Sequence, residues 1–175
     1  MKNKALLVVD VQTALIHEKP YQYERLLENL QRLLKEAREK GVLVIYVRHN
    51  GCWKDELEPN TPGWEIEASI QPQEKEPIID KSYNSAFKNT NLHELLQKKN
   101  IKELIITGLQ TEFCIDTTVK VAFEFGYDLI IPKDCTSTYH NEFMSGHEIC
   151  RFYERNIWAN RFAKIVTVEQ VIGAM

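Results

Sequence analysis

A doubly wound α/β fold, with a mostly parallel sheet of six strands and helices on both faces, is what the patterning of this chain predicts. Three observations carry that reading. Short runs of β-prone apolar residues recur without polar alternation, which marks strands covered on both faces. Amphipathic segments with three- and four-residue apolar spacing lie between them, and strand–helix–strand units make neighbouring strands parallel. Gly and Pro punctuate the joins. With 175 residues and 43% hydrophobic content, one domain over residues 1–175 is the natural count.

The elements follow in order. Lys4 to Asp10 (KALLVVD) reads as a buried central strand that ends on an acid. Asp10 either caps the following turn or faces the rim where parallel-sheet ligands bind. Tyr21 to Lys40 is a strong helix, with Leu26, Leu27, Leu30, Leu33, Leu34 and Ala37 on one face and Gly41 as its stop. Val42 to Val47 is the second strand. Arg48 to Glu76 is irregular, rich in Pro and carboxylates, and reads as a long excursion of the kind that often covers a site. Its Trp53 and Trp64 either wall a pocket or anchor the loop to the body. Pro77 to Lys81 is a third strand, again ending in a charge. A helix over Asn91 to Lys99 leads to a strand at Lys102 to Thr107, and a helix over Phe113 to Phe125 leads to a strand at Tyr127 to Ile131. A helix over Glu142 to Asn156, with Phe143, Ile149, Phe152 and Tyr153 as its apolar face, precedes a last strand at Ala163 to Val166. A short helix at Val168 to Ile172 closes the chain. The alternation is Rossmann-like.

Charge and cysteine usage narrow the function classes. A net charge of −3 and an isoelectric point near 6.0 argue against a nucleic-acid binder. The N-terminal apolar run, Ala5 to Val9, is too short for a secretion signal or membrane span, so a cytoplasmic location with no membrane partner is expected. Cys52, Cys114, Cys135 and Cys150 form no C-x-x-C pair, which argues against a zinc site and for free thiols.

The chemistry gathers at strand ends. A cysteine at the opening of a helix, after a strand and a tight turn, feels the positive end of the helix dipole, which favours its thiolate. The turn's free N–H groups suit an oxyanion. Asp10, Lys81 and Cys114 each stand at or just past a strand's carboxyl end, so a parallel sheet would bring them to one edge. Together they supply a base, a cation and a nucleophile for thioester chemistry on a carbonyl.

On those residues the chain resembles the isochorismatase-like cysteine hydrolases, which include nicotinamidases and related amidases. The likeness covers nearly the whole chain. It rests on the strand leading into Asp10–Gln12, on Lys81–Phe87 (KSYNSAF) with Thr90 and Leu92, and on Gly108–Cys114 (GLQTEFC). The resemblance implies a catalytic triad of Asp10, Lys81 and Cys114. It also implies a cis Leu109–Gln110 peptide, oxyanion donors at the backbone N–H groups of Gln110 and Cys114, a small-molecule amide substrate and a homo-oligomer. It implies no cofactor. Leu15 stands where the family often has Phe. Nicotinamidases also carry an Asp-x-His metal motif; here that region offers only His49, read as a loop or pocket residue, so no metal is expected. Gln12, Leu15, Trp53, Trp64, Tyr83, Phe87, Phe113 and Tyr139 are the candidate substrate contacts, each equally compatible with packing. Two other functions fit the fold: vinyl-ether hydrolysis of the isochorismatase type, which does not need this cysteine, and a binding or scaffold protein.

Overall fold

The computed structural model describes residues 3–175. Its centre is one sheet of seven strands in the order β3-β2-β1-β4-β5-β7, with a short β6 beside β4; every ladder in it is parallel. The strands are β1 (Lys4–Val9), β2 (Leu43–His49), β3 (Ile78–Lys81), β4 (Glu103–Leu109), β5 (Asp128–Pro132), β6 (Thr136–Ser137) and β7 (Lys164–Val166). Strand β1 lies in the middle of the sheet; from it the chain winds outward through β2 and β3 and returns across β1 to β4. That reversal opens a crevice at the carboxyl ends of β1 and β4, where ligands of open α/β sheets bind.

Helices cover both faces. The helices are α1 (Thr13–His17), α2 (Tyr23–Glu39), α3 (Leu92–Lys98), α4 (Asp116–Glu124), α5 (Gly146–Phe152) and α6 (Val168–Ala174). On one face, Leu26, Leu30, Leu33 and Leu34 of α2 join Val168 and Val171 of α6 against Leu6, Val8, Val44 and Tyr46. On the other, Leu92 and Leu96 of α3 and Val119 and Ala122 of α4 pack on Leu7, Val9, Ile45 and Ile106. Each such leucine contributes about 1.5–3 kcal/mol by leaving water. From Ala5 to Val9, successive β1 residues face opposite layers and all are apolar, which is why this run shows no alternation. Among the described residues no helix is long and apolar enough to cross a membrane.

Four details depart from the sequence reading. The sheet has a seventh strand, β6, which is two polar residues long and has no apolar run to announce it. Arg48 and His49 extend β2 because they pair with Asp80 and Lys81 of β3. Helix α5 starts only at Gly146, where Ser145 and Glu148 form a reciprocal capping box that fixes the boundary; Phe143 lies before it, 83% exposed rather than on a buried face. The segment before α4 is a π-helical turn, Thr111–Ile115, so Cys114 sits in a widened turn rather than in the first turn of an α-helix.

Candidate active site

Four neighbouring strands deliver one residue each to the crevice. Lys81 is the last residue of β3, His49 the last of β2, Asp10 the first residue past β1, and Cys114 follows β4 by one turn. Asp10 takes a left-handed backbone, φ 53°, and its N–H donates to Val47 O at 2.8 Å. Asp is one of the few side chains that tolerate this region. Gly108 lies opposite Val9 in the ladder with φ 120°; a Cβ there would stand 1.9 Å from Val9 O. Only glycine lets the ends of β1 and β4 approach this closely. The Leu109–Gln110 peptide that follows is cis.

The three residues named from the sequence meet. Lys81 Nζ stands 2.7 Å from Asp10 Oδ2 and donates to Cys114 Sγ at 3.3 Å. Lys81 is the residue type the geometry requires. β2 separates β3 from β1, so the two backbones are roughly 10 Å apart, and the four-carbon stem spans that distance. Both side chains of the ion pair are sealed from solvent, while Cys114 is partly open. The two Asp10 carboxylate oxygens are buried and lack a properly oriented hydrogen-bond donor, so both keep accepting capacity.

The thiol's acidity differs from the sequence reading. Burial, reinforced by the Asp10 carboxylate, pushes the Cys114 thiol up to about 12; Lys81 opposes this without overcoming it. Desolvation disfavours the thiolate, and Cys114 lies in a π-helical turn rather than in the first turn of an α-helix. The resting group is therefore a thiol beside an available carboxylate.

His49 completes the cluster. Its Nδ1 is 3.0 Å from Lys81 Nζ, and burial, then Lys81, lower its basicity below the usual histidine range. Ligand-type atoms of Asp10, His49 and Cys114 lie within 4.8 Å of one another. They do not fit a metal ion as they stand, because the Lys81 ammonium already contacts all three, and a second cation would have to displace it from a buried ion pair.

The aromatic and polar candidates divide. Gln12 is fully buried: its amide donates to His49 O and Trp64 O and accepts from His49 N, so it braces the protein rather than facing a pocket. Phe87 is buried and packs against Tyr127 and the half-exposed Phe125. Trp64 is buried under the Arg48 guanidinium and bonds Asn50 Oδ1 through its indole N–H. Tyr139 donates its hydroxyl to Leu15 O, tying two candidates together. Phe113 is 51% exposed beside Cys114 in sequence, Tyr83 lies under Lys88, and Trp53 is 78% exposed with Lys54 over its ring. Asn84, absent from the sequence reading, places Oδ1 4.0 Å from Cys114 Sγ. Its position inside the Lys81–Phe87 motif was the available signal.

A parallel α/β sheet with carboxylate, amine and thiol gathered at its carboxyl edge is a frame equipped for acid–base and nucleophilic chemistry. The family can be stated more closely: an isochorismatase domain model matches residues 4–170, and the chain belongs to the isochorismatase family. A streptothricin hydrolase of Streptomyces noursei is 35% identical over 138 residues, 78% of this chain but 50% of that protein, so the chain spans half that relative's length. Nicotinamidase 3 of Arabidopsis thaliana is 32% identical over 156 residues, 81% of this chain and 76% of that one. The crystal structure of a cysteine hydrolase from Pseudomonas syringae pv. phaseolicola superposes with a TM-score of 0.89 at 25% identity, over 98% of this chain and 91% of that one.

Proposed function

We propose that this protein hydrolyses a C–N bond of a small amide through a thioester on Cys114. The observation that carries the reading is a protonated, partly accessible thiol beside a buried carboxylate with free accepting capacity, both touching one lysine. Amidase relatives in the same family support the choice of bond.

The groups assign the steps. Asp10 accepts the thiol proton as Sγ bonds to the amide carbon, so the thiolate forms only as it is consumed. The negative charge moves to the carbonyl oxygen, which faces the backbone N–H groups of Gln110 and Cys114. The tetrahedral species collapses; the C–N bond breaks and Asp10 returns the proton to the departing nitrogen. Water then attacks the thioester, giving its proton to Asp10. The C–S bond breaks, the acid leaves, and Cys114 regains its proton from Asp10. Lys81 stays cationic and offsets the charge that moves between Asp10 and Sγ. All four cysteines are free, which suits a reducing cytoplasm.

The test is a panel of small primary and secondary amides scored by ammonia or amine release. Turnover of at least one amide is expected, and it should vanish in Cys114→Ala. Turnover that survives in Cys114→Ala excludes the thioester route.

A further inference from the structure

We infer that His49 is a positioning residue for Lys81, acting as a neutral hydrogen-bond acceptor that aims the lysine at Cys114, with Gln12 holding His49 in place. This rests on the thiol chemistry proposed above and adds a fourth residue to it.

The sheet order makes a residue at this place unavoidable. Lys81 and Asp10 pair although their strands are not adjacent, so the lysine must pass over the end of β2. The β2 residue in register with Lys81 is His49. An ammonium has three N–H donors and no acceptor. Two of them have oriented acceptors, Cys114 Sγ at 3.3 Å and His49 Nδ1 at 3.0 Å, while Asp10 Oδ2 lies 2.7 Å away as the ion-pair partner. Nδ1 must therefore be the unprotonated nitrogen, and the ring proton belongs on Nε2. An apolar residue at 49 would leave one N–H of a sealed ammonium without a partner. The lysine would then settle toward the carboxylate, its strongest attraction, and away from sulfur.

His49 is itself gripped. Gln12 accepts from His49 N at 2.9 Å and donates to His49 O at 3.0 Å, and it ties the Trp64 carbonyl to the same point at 2.8 Å. A wholly buried glutamine clamping both backbone groups of one residue fixes where that imidazole stands. This gives Gln12 a role that its expected place in the substrate pocket did not.

Two measurements test the inference without knowledge of the substrate. In the wild-type protein, long-range proton–nitrogen NMR correlations of the His49 ring near neutral pH should show Nδ1 unprotonated and Nε2 protonated; a proton on Nδ1 overturns the proposal. Iodoacetamide labelling of Cys114 at pH 9, followed by peptide mass, should slow about tenfold in His49→Leu, as a loss of roughly one unit of thiolate stabilisation requires. His49→Asn, whose Oδ1 stands near the place of Nδ1, should stay within about threefold of wild type, the size of half a unit. Equal rates in His49→Leu and wild type, or equal slowing by Leu and Asn, refute the acceptor role. If His49→Leu does not fold, the NMR result and the Asn rate decide. Loss of turnover specificity for Cys114 in the amide panel would strike the parent mechanism instead and leave these two readouts unaffected.

Discussion

Two ion pairs in this molecule differ in what they leave unsatisfied: one is suited to holding a fold, the other, on the proposed function, to chemistry. Arg38 and Glu76 join α2 to the segment before β3. Their bonds are saturated: Arg38 meets both Glu76 oxygens at 2.8 Å and donates to Gln71 O, while Glu76 also accepts from Gln73 N. Burial pushes the Glu76 carboxyl up, but Arg38 and the Gln73 N–H outweigh it and hold it below the usual range. Asp10 and Lys81 are far more buried, yet the carboxylate keeps both oxygens without an oriented donor, and the lysine is shared with His49 and Cys114. A satisfied pair has nothing left to exchange. An unsatisfied buried pair is costly, and its retained accepting capacity is what a proton transfer needs.

Removal of the proposed nucleophile and base has the largest expected effect. Cys114→Ala should abolish turnover of any amide the panel yields, and Asp10→Asn should lower it by about 10²–10⁴-fold, the usual worth of a positioned general base. Circular dichroism and thermal midpoints should show both variants folded. A fully active Asp10→Asn would mean that this pair is structural like the other.

A smaller effect concerns the buried thiols. Burial pushes Cys114 up to about 12 and Cys150 up to about 11. Both stay protonated in the fold while the unfolded chain ionises near pH 8.5. The unfolded state therefore binds fewer protons, and stability should fall above about pH 8.5, on the order of 1 kcal/mol per thiol per pH unit, until the folded thiols titrate. Urea midpoints between pH 8 and 10 should show a shallower slope in Cys150→Ala; an unchanged slope would mean that this thiol ionises alike in both states.

The smallest effect belongs to the saturated pair. Glu76→Gln should cost about 1 kcal/mol near neutral pH, because solvent still partly screens this half-buried pair, and should leave turnover unchanged. The folded carboxyl is depressed, so its contribution is present above the unfolded value near pH 4.3 and is lost as pH falls through the folded one. The stability gap between wild type and Glu76→Gln should thus close in acid. A turnover defect in Glu76→Gln would erase the distinction between the two pairs.

The sequence carried the parts of this arrangement that depend on local pattern. The apolar run of β1, the leucine stripe of α2 and the glycine before the Cys114 turn are written in consecutive residues, and from them the sheet and a shared edge for Asp10, Lys81 and Cys114 were legible, but not the contact between the three. Other features have no local signature. β6 exists because Thr136 and Ser137 lie in register with Gly108 and Leu109. Gln12 looks like a pocket residue until the segment around Trp64 folds back onto it. His49 looks like a loop residue until β3 pairs with β2. The thiol's upward shift comes from burial and from a carboxylate more than a hundred positions away, which the helix-terminus pattern around Cys114 does not contain.

In the proposed mechanism Cys114 rests as a thiol and is deprotonated by Asp10 only during attack. Iodoacetamide labelling rates at pH 8, with exposed Cys52 as the internal reference, test it in wild type, Asp10→Asn and Lys81→Met. Cys114 should label more slowly than Cys52 in wild type, faster in Asp10→Asn once the carboxylate's repulsion is gone, and slower still in Lys81→Met. Asp10→Asn should thus raise the labelling rate of Cys114 while lowering amide turnover. A Cys114 that outpaces Cys52 in wild type, or that slows in Asp10→Asn, would show a pre-formed thiolate and contradict the account.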